Sequence, residues 1–127
     1  MISLLEKYSK VSWFFVILIS LAIFYISSLT FLPGPPIIIN VRSIFYHFFA
    51  FFFLAFFLLP ALVKGKNKAL IFIAIILAIM YGVSDEFHQL FTPGRVSSFS
   101  DFLIDSIGVL LASFVYTISL RIRKKER

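Results

Sequence analysis

Seven polar side chains that can do chemistry lie close together in a chain that is 61% hydrophobic. They are Asp85, Glu86, His88, Gln89, Arg95, Asp101 and Asp105. Carboxylates with imidazoles can bind a divalent metal ion, which would activate a water molecule. Alternatively, one carboxyl group can act as a general acid while an ionised group acts as a base. The residue types are compatible with both chemistries, and no H-E-x-x-H motif decides between them.

The adjacent carboxylates of Asp85 and Glu86 would repel each other in an apolar segment. We therefore expect one of them to hold a proton or to meet a cation. A divalent metal is the candidate cofactor, and the candidate ligands are Asp85, Glu86, Asp105 and His88. For proton transfer we consider Glu86 and His47, so the candidate catalytic residues are Glu86, Asp85, Asp105 and His47.

A second set of polar residues is suited to binding a ligand. Arg95 can contact a phosphate or a carboxylate, and Gln89 can add directional hydrogen bonds. His88 and Asp101 complete this set. Simpler roles are open for several residues. Ser98 and Asp101 have the spacing of a capping box, Arg95 can neutralise nearby carboxylates, and His47 can be a hydrogen-bonded packing residue.

Four apolar runs must position these groups, at residues 11–31, 44–63, 69–91 and 101–120. Each is close to the ~20 residues with which a helix crosses the hydrocarbon of a bilayer, where helices of this length satisfy every backbone group. Only 14% of the residues are charged, against about a quarter in soluble domains. We predict a single all-α domain over residues 1–127, an integral membrane protein with four transmembrane helices. The first run is too long for a signal peptide, so we expect it to be retained.

The positive charges predict the topology. In a four-span arrangement Arg42 and Arg95 lie on one side, and the other ten lysines and arginines lie on the opposite side. That asymmetry places both termini in the cytoplasm and the polar cluster near the extracytoplasmic face of the plasma membrane. The net charge of +6 thus reflects membrane orientation, with the tail after Leu120 as an anchor on anionic lipids, and does not indicate nucleic-acid binding.

The spacing of the polar residues predicts that they converge. Asp85 and Gln89 are four residues apart and share a helix face. In the fourth run Asp101, Asp105, Gly108 and Ala112 form one stripe, acidic in its outer half and small enough for close helix approach in its inner half.

The connections differ in length. Lys64–Lys68 is short enough to join only antiparallel neighbours, Pro93-Gly94 ends the third run, and residues 32–43, with Pro33, Pro35 and Pro36, read as an extended loop.

The motif Ser84-Asp85-Glu86-x-His88-Gln89-Leu90-Phe91-x-Pro93-Gly94-Arg95, followed by Asp101, Asp105 and Gly108, closely resembles the signature of the VanZ-like family. Ile23-Phe24-x-x-Ser27-Ser28 and His47-Phe48 resemble two further motifs of that family. The chain departs from the family pattern at Leu29, Ile44 and Phe51, where Gln, Lys and Tyr are common. The resemblance implies a small integral membrane protein of a family named for a protein associated with teicoplanin resistance.

Three functions remain open from the sequence. The first is a cell-envelope factor whose outward-facing pocket binds a lipid, a lipid-linked headgroup or a glycopeptide. The second is a metal-dependent or acid/base-dependent membrane hydrolase or transferase that acts on such a lipid. The third is a structural membrane subunit, in which the buried acids only hold helices together. Membrane lipids are expected partners in all three.

Overall fold

The computed structural model describes residues 1–30, 41–95 and 97–125, and all regular structure within these residues is helical. A short helix that the sequence did not predict, α1 (Ile2–Lys7), precedes four long ones: α2 (Ser9–Ser27), α3 (Val41–Val63), α4 (Ala69–Gln89) and α5 (Phe99–Lys125). The predicted all-α class is confirmed. The proposed extended connection with Pro33, Pro35 and Pro36 lies outside the described residues.

The four long helices have 19, 23, 21 and 27 residues, and each is apolar enough to cross a membrane. At 1.5 Å per residue they are about 28 to 40 Å long. Large apolar side chains cover their outer surfaces, among them Phe72, Met80 and Phe114. A helix that is apolar on its outer face needs a lipid environment, so the chain is a multi-pass membrane protein.

Contacts between helix ends show that the long helices run alternately up and down. Ser27, at the end of α2, bonds to Asp85 near the end of α4. His47, near the start of α3, contacts Asp105 near the start of α5. Glu86 of α4 lies beside both of them. We call this end of the bundle, formed by the last turns of α2 and α4 and the first turns of α3 and α5, the polar end.

The opposite end, which we call the basic end, contains α1, the turn at residues 64–68 and the last turns of α5. Glu6 of α1 accepts bonds from the Arg123 guanidinium at 2.6 and 2.9 Å and from the Tyr116 hydroxyl at 2.7 Å. Burial raises the pKa of Glu6, but the bonds from Arg123 and Tyr116 and the charge of Arg123 outweigh it, and the pKa falls below its usual range. The N-terminal and C-terminal helices therefore meet at the same end.

The turn between α3 and α4 packs against the Glu6 carboxylate. Lys64 and Gly65 both have positive φ angles, of 51° and 66°. A Cβ on Gly65 would lie 3.1 Å from Glu6 Oε2, and its amide donates to the Tyr116 hydroxyl at 3.3 Å. Glycine thus meets both a backbone requirement and a steric one here. The turn joins antiparallel helices, as the five-residue connection predicted.

Helix α3 lies at the centre of the core, with Phe51 and Leu59 fully buried, and it packs closely against α5. Gly108 of α5 permits this approach, because a Cβ there would lie 2.5 Å from the Phe48 carbonyl oxygen. Ala112, one turn further along α5, is also fully buried. The small-residue half of the stripe thus brings the two backbones together, and its acidic half then faces the start of α3.

Candidate functional site

A buried histidine–aspartate pair lies between α3 and α5. His47 and Asp105 each follow the first residue of their helix by six positions, which puts both about 9 Å along it. Each is 1% exposed, and His47 Nδ1 lies 3.0 Å from Asp105 Oδ1. The other ring nitrogen, Nε2, lies 3.8 Å from Oδ2 of the partly exposed Asp101. Two carboxylates of one α5 face therefore flank a single imidazole.

Glu86 reaches this pair from α4 and also holds the start of α5. Its Oε2 accepts bonds from the Ser97 hydroxyl at 3.0 Å and the Ser98 amide at 2.8 Å. The Ser98 hydroxyl accepts a bond from the Ser100 amide, so Ser98 caps α5. The predicted capping box is not formed, because its serine hydroxyl would accept from the Asp101 amide, which instead donates to the Ser98 carbonyl. The Ser98 amide bonds to Glu86, whereas a capping box would pair it with Asp101.

Two buried carboxylate oxygens at this site have no hydrogen-bond partner among the described residues. They are Oε1 of Glu86 and Oδ2 of Asp105, on residues that are 7% and 1% exposed. His47, Glu86 and Asp105 each offer one ligand atom, and these three atoms lie within 4.8 Å of one another. The three residues can therefore hold a cation or exchange a proton among themselves. We call them the buried triad.

Asp85 belongs to a different network, although it is adjacent to Glu86 in sequence. Ser27 of α2 donates to its Oδ1 at 2.5 Å, and the Gln89 amide donates to its Oδ2 at 3.0 Å and to Ser27 Oγ at 3.2 Å. All three side chains are buried. Successive residues of a helix are turned by about 100°, so Asp85 faces α2 while Glu86 faces α3 and α5. The two acids do not form the adjacent pair that the sequence suggested.

His88 and Arg95, two of the predicted ligand-binding residues, are placed against the end of α2. His88 Nε2 lies 3.0 Å from the Ser28 hydroxyl, and its ring packs on Phe24 at 4.7 Å. Arg95 donates from Nε to the Leu29 carbonyl at 3.3 Å and from its terminal nitrogen to the Ile26 carbonyl. Arg95 thus bonds to two carbonyl groups at the end of α2, of which the Ile26 carbonyl also accepts from the Leu29 amide at 3.2 Å.

A cavity of about 350 Å³ adjoins the buried triad between α4 and α5. One part of its wall is polar, and the rest is apolar; it is lined by Val83, Glu86, Ser97, Ser98, Phe99 and Phe102. A larger cavity of about 600 Å³ lies at the basic end, away from His47. The smaller one is the better candidate for chemistry, because it is the one that Glu86 lines.

The predicted site residues are thus divided among three places. One place, between α3, α4 and α5, contains His47, Glu86, Asp101 and Asp105. The second is the network with Ser27, which contains Asp85 and Gln89. The third is the end of α2, which is contacted by His88 and Arg95. Ser27 and Ser97 were not among the candidates. Ser27 carried a signal, as a polar residue near the end of an apolar run, but Ser97 had none beyond its place in a polar turn.

The comparisons with known proteins include a family match. No curated protein and no solved structure matches the chain. A model of the family described as VanZ/LLP1 matches residues 2–120, which contain the buried triad, the Ser27 network and the greater part of all four long helices. Because this match covers most of the chain, the protein belongs to the VanZ/LLP1 family of membrane proteins.

Proposed function

We propose that this protein binds the polar headgroup of a membrane lipid, or of a lipid-linked molecule of the cell envelope, at the polar end of its bundle. The observation that carries the proposal is the cavity beside Glu86, whose wall combines a carboxylate and two serines with apolar side chains. Ligand sites in proteins are mostly apolar, with a few polar groups that fix orientation. An amphiphile satisfies both parts of such a wall.

Within this pocket Glu86 is the main polar contact. Its Oε2 is fixed by Ser97 and Ser98, while its Oε1 has no partner in the described part of the chain. That oxygen is shielded from solvent, so a hydroxyl or amino group of a headgroup in the cavity would donate to Oε2 or to the Ser97 hydroxyl oxygen. Phe99 and Phe102 then contact the apolar part of the molecule. In this proposal Asp85, Gln89 and Arg95 position the helices and do not touch the ligand.

We further propose that the polar end faces the extracytoplasmic side of the plasma membrane. The support is the charge distribution, because the lysines and arginines of the described residues, with the exception of Arg42 and Arg95, belong to the basic end or its flanks. The basic end also has a cavity lined largely by lysines and arginines, among them Lys64, Lys68 and Arg121. Such groups attract the anionic lipids of the cytoplasmic leaflet.

Lipids that co-purify with the protein test the pocket. The protein would be extracted from its native membrane in polymer discs, and bound lipids would be compared with the bulk membrane by mass spectrometry. We expect one species to be enriched, and Glu86→Gln to lower its occupancy about tenfold or more, as the loss of a charge-assisted hydrogen bond implies. Ser84→Ala is the matched control, because the Ser84 hydroxyl bonds within its own helix, to the Tyr81 carbonyl.

Two results of that experiment would count against the pocket. One is the absence of any enriched species. The other is equal enrichment in Glu86→Gln and wild type, combined with a lower melting temperature of the variant. The second result would support a structural membrane subunit, in which Glu86 serves only to hold α5.

A second candidate function is a metal-dependent or acid/base-dependent hydrolase or transferase. The closeness of the His47, Glu86 and Asp105 donor atoms favours it. The measurement is the conversion of radiolabelled lipid-linked envelope precursors by the purified protein. Turnover that is lost in His47→Gln would support an enzyme. The family association with glycopeptides adds a cellular measurement, the susceptibility of expressing cells to teicoplanin, which we expect to fall relative to cells that express Glu86→Gln.

A further inference from the structure

We propose that His47, Glu86 and Asp105 bind a single divalent cation of the first transition row, Zn²⁺ or Mn²⁺. The inference deepens the proposed function and rests on it for the role of the ion, but not for its ligands. Those ligands come from three helices, α3, α4 and α5, so the ion would also join these three helices.

The positions of the donor atoms support a shared ion. One atom from each residue lies within 4.8 Å of the other two. Ligands at about 2.1 Å from an ion are separated by about 3 to 4 Å, so small side-chain rotations bring all three into coordination. Two of these donor atoms, His47 Nδ1 and Asp105 Oδ1, are already 3.0 Å apart.

The buried oxygens without partners are the second observation. Glu86 Oε1 and Asp105 Oδ2 are both shielded from solvent, and neither accepts a hydrogen bond from the described residues. Native proteins rarely leave such atoms unsatisfied, and a bound ion is one way in which they are satisfied. A proton on one carboxyl group can satisfy both oxygens only through a direct hydrogen bond between them, whereas a divalent cation can bind both carboxylates and the imidazole together.

Charge gives a third argument. Two ionised carboxylates and a neutral imidazole carry a net charge of −2, and a divalent cation neutralises it. Ionisable groups within a membrane protein require such compensation. Asp101 adds an orienting contact, because its Oδ2 lies 3.8 Å from His47 Nε2. A ligating histidine commonly donates its second ring N–H to a carboxylate, and a small movement of Asp101 would bring its Oδ2 from 3.8 Å to hydrogen-bond distance for that role.

The ligand types select the ion. Imidazole suits the later first-row metals, carboxylate suits Mg²⁺, Ca²⁺ and Mn²⁺, and a mixed set of one nitrogen and two oxygens favours Zn²⁺ or Mn²⁺. Three protein ligands leave at least one coordination position open. Because Glu86 also lines the 350 Å³ cavity, that position faces the proposed headgroup pocket. The ion would there bind an oxygen of an anionic headgroup, such as a phosphate.

Metal analysis of the purified protein tests the inference. The full chain would be purified without chelator for elemental analysis, then stripped and titrated with ZnCl₂ or MnCl₂ alone. We expect about one ion per chain. We expect binding to weaken about 100-fold in Asp105→Asn and in His47→Gln, since partners that only orient a ligand are worth 10–100-fold. Asp85→Asn is the matched control, because Asp85 is a buried acid that bonds to Ser27 and Gln89, and we expect it to bind the ion as wild type does.

A second measurement does not depend on the variants. In wild type, chelator should lower the melting temperature and the added ion should restore it. The inference is overturned if wild type shows no saturable binding of either ion, or if Asp105→Asn binds as tightly as wild type. Lipid enrichment in the same samples separates the two proposals. Enriched lipid without metal refutes the ion alone, and bound metal without enriched lipid refutes the headgroup pocket alone.

Discussion

Replacement of Gly108 by alanine should separate α3 from α5 and thereby disturb the buried triad. The new Cβ would lie 2.5 Å from the Phe48 carbonyl oxygen and 3.0 Å from the Phe52 amide nitrogen, whereas ordinary contact begins at 3.4 Å. Both neighbours are backbone atoms, so neither can rotate away. The helices must therefore move apart by roughly 0.9 Å at this level, as overpacked cores do.

The same displacement acts on the site, because Asp105 lies one turn before Gly108 on α5. A shift of that size would lengthen the 3.0 Å contact between His47 Nδ1 and Asp105 Oδ1 beyond hydrogen-bond range. Overpacking costs about 1–3 kcal/mol, and the lost hydrogen bond costs about 1 kcal/mol more. We expect the melting temperature in detergent to fall by roughly 5–15 °C.

Gly82→Ala is the matched control for this substitution. Its Cβ would meet side-chain atoms only, Phe51 Cε1 at 3.3 Å and Asp105 Oδ2 at 3.4 Å, so a movement of about 0.1 Å restores ordinary contact. Both variants gain the same helix propensity of about 1 kcal/mol, so their difference isolates the packing effect. Thermal unfolding followed by circular dichroism measures it. A Gly108→Ala protein as stable as wild type, or a Gly82→Ala protein equally destabilised, would refute the close approach as the determinant of the site.

Three further predictions concern the rest of the bundle. Because the pKa of Glu6 is lower in the folded protein than in the unfolded chain, its ion pair should stabilise the protein above pH ~4.5 and lose this effect as the pH falls further, and Glu6→Gln should flatten the acid side of the stability profile. A profile unchanged by the substitution would show that the pair contributes nothing. Ser27→Ala should cost about 1–3 kcal/mol of unfolding free energy, because it removes the α2 donor to the buried Asp85 carboxylate, while Ser84→Ala on the exposed side of α4 should change it by less than about 0.5 kcal/mol. Equal losses in these two variants would contradict the network. A reporter enzyme fused after Lys125 should be active only if it functions in the cytoplasm, and activity of a reporter that requires export would reverse the proposed topology.

The helices and the depth of the site could be predicted from the sequence because both follow from counting along a helix. Apolar runs of the required length predict four spans, and positions about one turn inside the second and fourth runs bring His47 and Asp105 to a similar level. The partners of each acid could not be predicted in the same way. The depth of a residue in the membrane does not show which neighbouring helix its side chain contacts. Asp85 and His88 were therefore grouped with Glu86, although both contact the end of α2.

The arrangement of helices around the bundle depends on packing between distant residues. Gly108 was predicted to allow close contact with another helix, but the sequence did not show which one. In the structure that helix is α3, whose backbone at Phe48 and Phe52 lies against Gly108. The bond between Ser98 and Glu86 likewise replaces a local cap by one from another helix. Which helices pack together, and which side chain bonds to the Ser98 amide, depends on how the helices fit in three dimensions. No periodic pattern in the sequence predicts these contacts.

The contacts of Glu6 with Tyr116 and Arg123 at the basic end have a consequence for biosynthesis. Glu6 is made before its partners Tyr116 and Arg123, which follow it by 110 and 117 residues. During translation the Glu6 carboxylate therefore has no ion pair with Arg123 until α5 leaves the ribosome. The same helix carries Asp101 and Asp105, so its insertion completes both ends of the bundle in one step. A chain arrested before α5 has Glu6 without Arg123, and His47 without Asp101 and Asp105. We expect membrane proteases to degrade such an incomplete chain.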